Sequence, residues 1–236
     1  MGCEGGLIVF PSREAMSARL ADLIETELAR GVCEDGAGEF ALSGGSTPKP
    51  LYEALSKKNI DWGRVTATLV DERWVAPTAD GSNEKFIREA LLKEKAAGAR
   101  FRGLYNGAAT PKDGLAGCEK MLASRRKPFD VVLLGMGEDG HTASWFPHAD
   151  GLGDALASSG QVAAIRARKS AVTGPFLDRM TLTLSAIRDA RLLILMMAGD
   201  EKRATFARAL EEGPIEEMPV RAVLRARPDL WACWSE

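Results

Sequence analysis

The sequence predicts an α/β fold, a Rossmann-like, mostly parallel sheet with helices on both faces, and three observations carry that expectation. Apolar runs of strand length alternate with amphipathic segments of helix length from one end of the chain to the other. Some runs, such as Val131-Val132-Leu133-Leu134, are apolar without interruption, as strands covered on both faces are. Glycine-rich polar turns follow several of them directly, where open parallel sheets bind ligands. With 236 residues, 45% of them hydrophobic, and no repeat, low-complexity tract or long linker, the chain reads as a single domain over 1–236.

The first unit is a strand at 6–10 (GLIVF) and a helix at 12–32, with Ser12 as N-cap and Gly31 near its end. A strand at 38–45 runs into a helix at 48–59. A third strand, 64–75 (RVTATLVDERWV), leads through a Pro/Gly/Ser-rich loop into a helix at 82–98. Residues 99–105 and 113–126 supply another strand and helix. The strand at 129–137 is the most hydrophobic of the first half and is expected at the centre of the sheet. Residues 151–176, rich in Gly, Ala and Ser, read as loop plus an irregular or edge strand. A helix-like or turn segment within 181–199 feeds a strongly apolar strand, 200–213 is a helix ended by Gly213-Pro214, and 220–236 supplies a last turn and strand.

Composition excludes several classes of function. The 31 basic and 33 acidic residues leave a formal net charge of -2, so no overall field recruits nucleic acid or an anionic membrane, and any anion must be captured locally. No stretch approaches the roughly 20 apolar residues of a membrane span. The N-terminus has no basic region before its short apolar run, and Met1-Gly2-Cys3 lacks the downstream Ser or Thr of a myristoylation signal, so a cytoplasmic monomer or small homo-oligomer is expected. Cys3, Cys33, Cys118 and Cys233 are scattered, with no C-x-x-C pair and no histidine at ligand spacing, and read as reduced, mostly buried thiols without a metal.

Three strand ends carry unusual chemistry. After the second strand, Ser43-Gly44-Gly45-Ser46-Thr47-Pro48 lets the backbone approach a ligand and offers hydroxyl and N–H donors to a phosphate; an ordinary capped turn fits the same residues. After the third, Asp71-Glu72-Arg73-Trp74 places a guanidinium fork where an anion clamp would sit, or forms a solvated charge cluster. Ser82-Asn83 caps the next helix or lines the same pocket. After the fifth, Gly135, Gly137 and Gly140 permit a tight path that brings Asp139 beside His141. An imidazole there is suited to take a proton from water, the alternative being a structural histidine bonded to a carbonyl. His148 reads as a surface residue. Arg179 and Lys202 are further cations after apolar runs; Lys202 lies in a first helical turn, where the macrodipole gives a cation no advantage, which favours an anionic partner.

Taken in order, SGGSTP at 43–48, DERWV at 71–75, SN at 82–83, GMGEDGHTASWFP at 135–147, DRMTLT at 178–183 and GDEK at 199–202 resemble the 6-phosphogluconolactonase family, over nearly the whole chain. DGHTAS-x-FP is the most specific part. The resemblance implies hydrolysis of a sugar-phosphate lactone, 6-phospho-D-glucono-1,5-lactone, in the oxidative pentose phosphate pathway, without metal or organic cofactor. It implies that His141 deprotonates the attacking water with support from Asp139. It also implies that Gly44, Gly45 and Ser46 hold the phosphate together with Arg73, with Arg179 and Lys202 as further candidates, Ser43 in the substrate site, and Asp71 there without a fixed role.

The related glucosamine-6-phosphate deaminases share the phosphate loop and a D-G-H segment, but their chemistry calls for a glutamate five positions after the histidine and D-E-Y after the third strand. Phe146 and Arg73 stand at those positions here. A non-catalytic phosphosugar sensor is the reading from a different class, and retention of His141 speaks against it.

Overall fold

The computed structural model describes residues 2–4, 6–126 and 128–236. Its strands are β1 (Gly2–Glu4), β2 (Leu7–Val9), β3 (Gly38–Leu42), β4 (Val65–Leu69), β5 (Asp71–Arg73), β6 (Arg100–Arg102), β7 (Val131–Gly135), β8 (Val162–Arg166), β9 (Asp178–Leu182), β10 (Leu192–Ala198) and β11 (Trp231–Ser235). The helices are α1 (Arg13–Asp35), α2 (Lys49–Leu55), α3 (Asn83–Ala90), α4 (Pro111–Ala123), α5 (Leu152–Ala157), α6 (Leu184–Ile187), α7 (Asp200–Leu210) and α8 (Val220–Ala226).

The large sheet has the order β1-β2-β11-β10-β7-β3-β4-β6, parallel throughout except for the β1–β2 hairpin. Every residue of β3 and β4 is buried, as is all of β7 and β10 but the last residue of each, so helices and loops cover both faces. β7 lies at the centre, as its hydrophobicity demands. The chain steps outward from β3 through β4 to β6, then returns to place β7 on the other side of β3. Loops leaving β3 and β7 therefore diverge, and a crevice opens at the carboxyl ends of those two strands.

A second, antiparallel sheet of order β5-β9-β8 stands apart from the first. The expected strand over 64–75 is in fact two strands in different sheets, and Val70 is the junction. Its N–H donates to Leu42 O in the large sheet, and its carbonyl accepts from Leu182 N at the end of β9, both at 2.8 Å. With a ladder partner on either side, the chain changes sheets without a glycine or proline to mark the change.

Other boundaries also move for identifiable reasons. Ser12 caps α1 through Ala15 N as expected, but the helix continues past Gly31 and closes at Gly36, whose φ of 77° suits glycine. Gly31 is a packing residue instead, because a Cβ there would strike the carboxylate of Asp130. That carboxylate is fully buried, accepts from Glu39 N at 2.8 Å, and pairs with Arg126 and Arg191. Residues 178–182 form β9 where a turn or helix was expected from 181, and the helical character belongs to the single turn α6. The segment 152–157, expected as loop, is α5; its N-cap is Gly151 with no side-chain cap, so no start signal precedes it. β1 and α8 were likewise unforeseen, and the helix expected over 82–98 stops at Ala90 before a 3-10 turn at Glu94–Gly98. Cys118 and Cys233 are buried thiols, pushed up to about 11 and about 12 by burial, whereas Cys33 is exposed on α1; the side chain of Cys3 lies outside the described residues.

Candidate active site

A cleft of about 440 Å³ opens at the carboxyl ends of β3, β7 and β10, with the small sheet as one wall. Strand alternation decides what that wall shows. In β5, Asp71 and Arg73 share the face toward the cleft, while Glu72 points the other way. Register then sets Thr181 opposite Asp71 and Arg179 opposite Arg73.

Glu72, fully buried, organises the start of α3. Its carboxylate accepts from Arg73 N and Asn83 N at 2.7 Å, Glu84 N at 2.8 Å and Ser82 Oγ at 3.0 Å. Burial raises this carboxyl above its ordinary value and the four donors pull it back; four donors on two oxygens suit the ionised form. Glu72→Ala orphans those buried N–H groups and is expected to cost about 2 kcal/mol of stability, read as a lowered urea midpoint.

The histidine is delivered by a tight loop. Thr142 Oγ1 donates to Gly135 O at 2.8 Å and Gly137 N to His141 O at 2.9 Å, folding the segment back on the end of β7. A Cβ at Gly137 would collide with the imidazole, and Gly140 has a φ of 78°, so both glycines are required. Asp139 Oδ1 lies 2.6 Å from His141 Nδ1 and also accepts His141 N at 3.1 Å. Burial alone would raise Asp139, but the hydrogen bonds and charge interaction with His141 outweigh it and hold the carboxyl below its usual value. Phe146 backs the imidazole, with ring centroids 4.4 Å apart, and fully buried Trp145 anchors the loop by donating Nε1–H to Leu182 O at 2.9 Å.

On the β3 side, Tyr52 OH donates to Ser43 O at 2.6 Å and pins the turn to α2. A Cβ at Gly44 would meet the Asn83 amide, and Gly45 has a φ of 99°, so the loop passes close to α3 with its backbone turned to the cleft. Ser43, Gly44, Gly45 and Ser46 all line the cavity. Opposite them, from the first turn of α7, comes Lys202, half-buried and without a hydrogen bond or ion pair to any described residue. Burial lowers its pKa, against the nearby charge of Glu138.

The structure thus brings Ser43, Gly44, Gly45, Ser46, Asp71, Arg73, His141, Arg179 and Lys202 to one cleft, with Asp139 behind the histidine. His148 is exposed and lies outside it. Ser82 caps α3 through Lys85 N, while Asn83 lines the cleft and donates to Asp71 O at 2.9 Å, so the two alternatives for this dipeptide are divided between its residues. Three contributors had no separate signal: Ser144, buried, donates to Asp71 Oδ2 at 2.6 Å, and Ala171 and Val172 line the cleft from the β8–β9 loop; Phe146, singled out above only as a departure from the deaminases, forms wall as well. Among the described residues, no group of three His, Cys, Asp or Glu is placed to hold a metal, and no helix is long and apolar enough to cross a membrane.

Comparison with known proteins shows the family and the fold. The family described as glucosamine-6-phosphate isomerases/6-phosphogluconolactonase matches residues 11–232. A protein named 6-phosphogluconolactonase from Rhizobium meliloti (strain 1021) is 41% identical over 228 residues, 96% of this chain and 97% of its own length. Another of that name, from Mesorhizobium japonicum, is 40% identical over 219 residues, 93% of this chain and 90% of its own. The crystal structure of a 6-phosphogluconolactonase from Shewanella baltica OS155 superimposes with a TM-score of 0.91 at 40% identity, covering 98% of this chain and 97% of that one. The chain belongs to the glucosamine-6-phosphate isomerase/6-phosphogluconolactonase family.

Proposed function

We propose that the cleft hydrolyses 6-phospho-D-glucono-1,5-lactone to 6-phospho-D-gluconate, a step of the oxidative pentose phosphate pathway. The observation that carries the mechanism is the Asp139–His141 pair, 2.6 Å apart at the end of the central strand. A carboxylate accepting from Nδ1–H leaves Nε2 as the basic nitrogen for the cleft. There it removes a proton from water as the oxygen attacks C1, and Asp139 stabilises the imidazolium that forms. The oxyanion on C1 collapses, the bond from C1 to the ring oxygen breaks, and that oxygen takes the proton from Nε2. Water is consumed, the base is regenerated, and these steps call on no metal or organic cofactor.

The turn 43–46 and Lys202 are the natural holders of the phosphate, through backbone N–H, hydroxyl and ammonium donors. Phe146 bears on the choice between the two chemistries of the family: it packs on the imidazole at the position where deaminase chemistry calls for a glutamate, so that acid–base group is missing. Comparing the lactone with its unphosphorylated counterpart tests phosphate recognition. Wild type is expected to favour the phosphorylated lactone about 100-fold or more in kcat/KM, and Lys202→Met to remove at least about ten-fold of that preference. Equal turnover of the two lactones would contradict the assignment.

A further inference from the structure

We propose that Arg73 and Arg179 together form the subsite for the lactone end of the ligand, binding the C1 oxygen as it becomes an oxyanion and then the carboxylate of the product. The phosphate then lies on the separate wall made by the 43–46 turn and Lys202. This inference rests on the reading of the cleft as a lactonase, and it moves Arg73 away from the phosphate, where the family resemblance would put it.

The first support is register. Arg73 and Arg179 are directly opposed across β5 and β9, and both line the cleft. Like charges facing each other on a sheet destabilise it unless an anion lies between them. Of the carboxylates on β5 and β9, only Asp71 lines the cleft beside the two guanidinium groups; Glu72 is buried behind them, adding to the field at Arg179. Asp71 Oδ2 is 3.8 Å from Arg179 Nη1 and already accepts from Ser144. Arg73 forms no ion pair among the described residues, and its buried Nε has no acceptor.

The second support is that both guanidinium groups are held in place by backbone. Arg73 Nη1 donates to Gly81 O at 2.7 Å; Arg179 Nε donates to Phe176 O at 2.7 Å and Nη2 to Thr173 O at 3.0 Å. Neutral carbonyls orient these side chains without cancelling their charge, as a preorganised oxyanion site requires. The third is proximity to the base. Phe146 is shared between the two groups, its ring centroid 4.4 Å from that of His141 and 5.3 Å from Arg179 Cζ. The atom attacked by water must lie near His141, so the arginine wall is the one that meets the developing charge on C1.

A matched pair of ligands tests this. 6-Phosphogluconate has a phosphate and a carboxylate; glucitol 6-phosphate has a hydroxymethyl group in place of the carboxylate. Calorimetric binding to wild type is expected to favour 6-phosphogluconate by about ten-fold or more. Arg73→Lys and Arg179→Lys should lose most of that preference while binding glucitol 6-phosphate about as wild type does, since an ammonium does not reproduce a guanidinium fork. Lys202→Met should weaken both ligands alike. If Arg179→Lys fails to fold, as judged by its thermal transition, the less buried Arg73→Lys and Arg73→Gln decide the matter. Equal weakening of both ligands by the arginine variants, or no preference in wild type, would overturn the proposal. Failure of the lactonase reading would be seen separately, as absence of lactone turnover by wild type.

Discussion

His141→Ala is expected to lower kcat for lactone hydrolysis by about 10²–10⁴-fold, the usual contribution of a general base, with KM changed little. The side chain lines the cleft separately from the 43–46 turn and Lys202, the phosphate holders proposed above, so its removal leaves them in place. Folding should also survive. Gly137 and Thr142 hold the loop through the histidine carbonyl and Gly135 O, neither of which depends on the imidazole. The lactone opens spontaneously, so the rate must be taken on freshly generated substrate with the uncatalysed rate subtracted. Asp139→Asn should reproduce part of the loss, because an amide oriented to donate to Nδ1 favours the wrong tautomer. Undiminished turnover in His141→Ala would remove the imidazole from the mechanism.

Trp145→Ala is expected to destabilise the fold by about 3–5 kcal/mol, the range for deleting a large buried aromatic. The indole is fully buried, and its Nε1–H donates to Leu182 O at the end of β9, so the change leaves a cavity and strips that carbonyl of its shorter hydrogen bond, with Thr181 Oγ1 at 3.3 Å remaining. For a chain of this size the loss corresponds to a fall in Tm of roughly 10 °C. Activity should fall beyond the loss of folded protein, because Trp145 ties the His141 loop to the sheet that carries Arg179. Trp145→Phe separates the contributions: it keeps most of the packing and should cost about 1–2 kcal/mol. If alanine left Tm unchanged, the loop would not be anchored through this residue.

What was legible in the sequence follows the range of the interactions. The ends of β3 and β7 stood out because an apolar run followed by glycine and polar residues is a local pattern, and the parallel sheet places such ends side by side, with Lys202 after β10 read only as a further cation. The small sheet was hidden because β5 continues β4 with one residue between, and nothing in Leu69-Val70-Asp71 marks the change of partner. The opposition of Arg73 and Arg179 depends on register between segments far apart in the chain, which no local spacing encodes. Gly31 misled for a related reason: its role is contact with Asp130, and only the fold reveals it. Asn83 read as part of a cap because Ser82 does cap α3, while its own amide faces Asp71.

The most direct test of the central claim is the initial rate of hydrolysis of freshly generated 6-phosphogluconolactone by the wild-type protein, corrected for spontaneous opening, with deamination of glucosamine 6-phosphate followed in parallel. Lactone opening is expected to accelerate, with no release of ammonia from the amino sugar. Deamination without lactone hydrolysis, or silence toward both substrates, would contradict that claim.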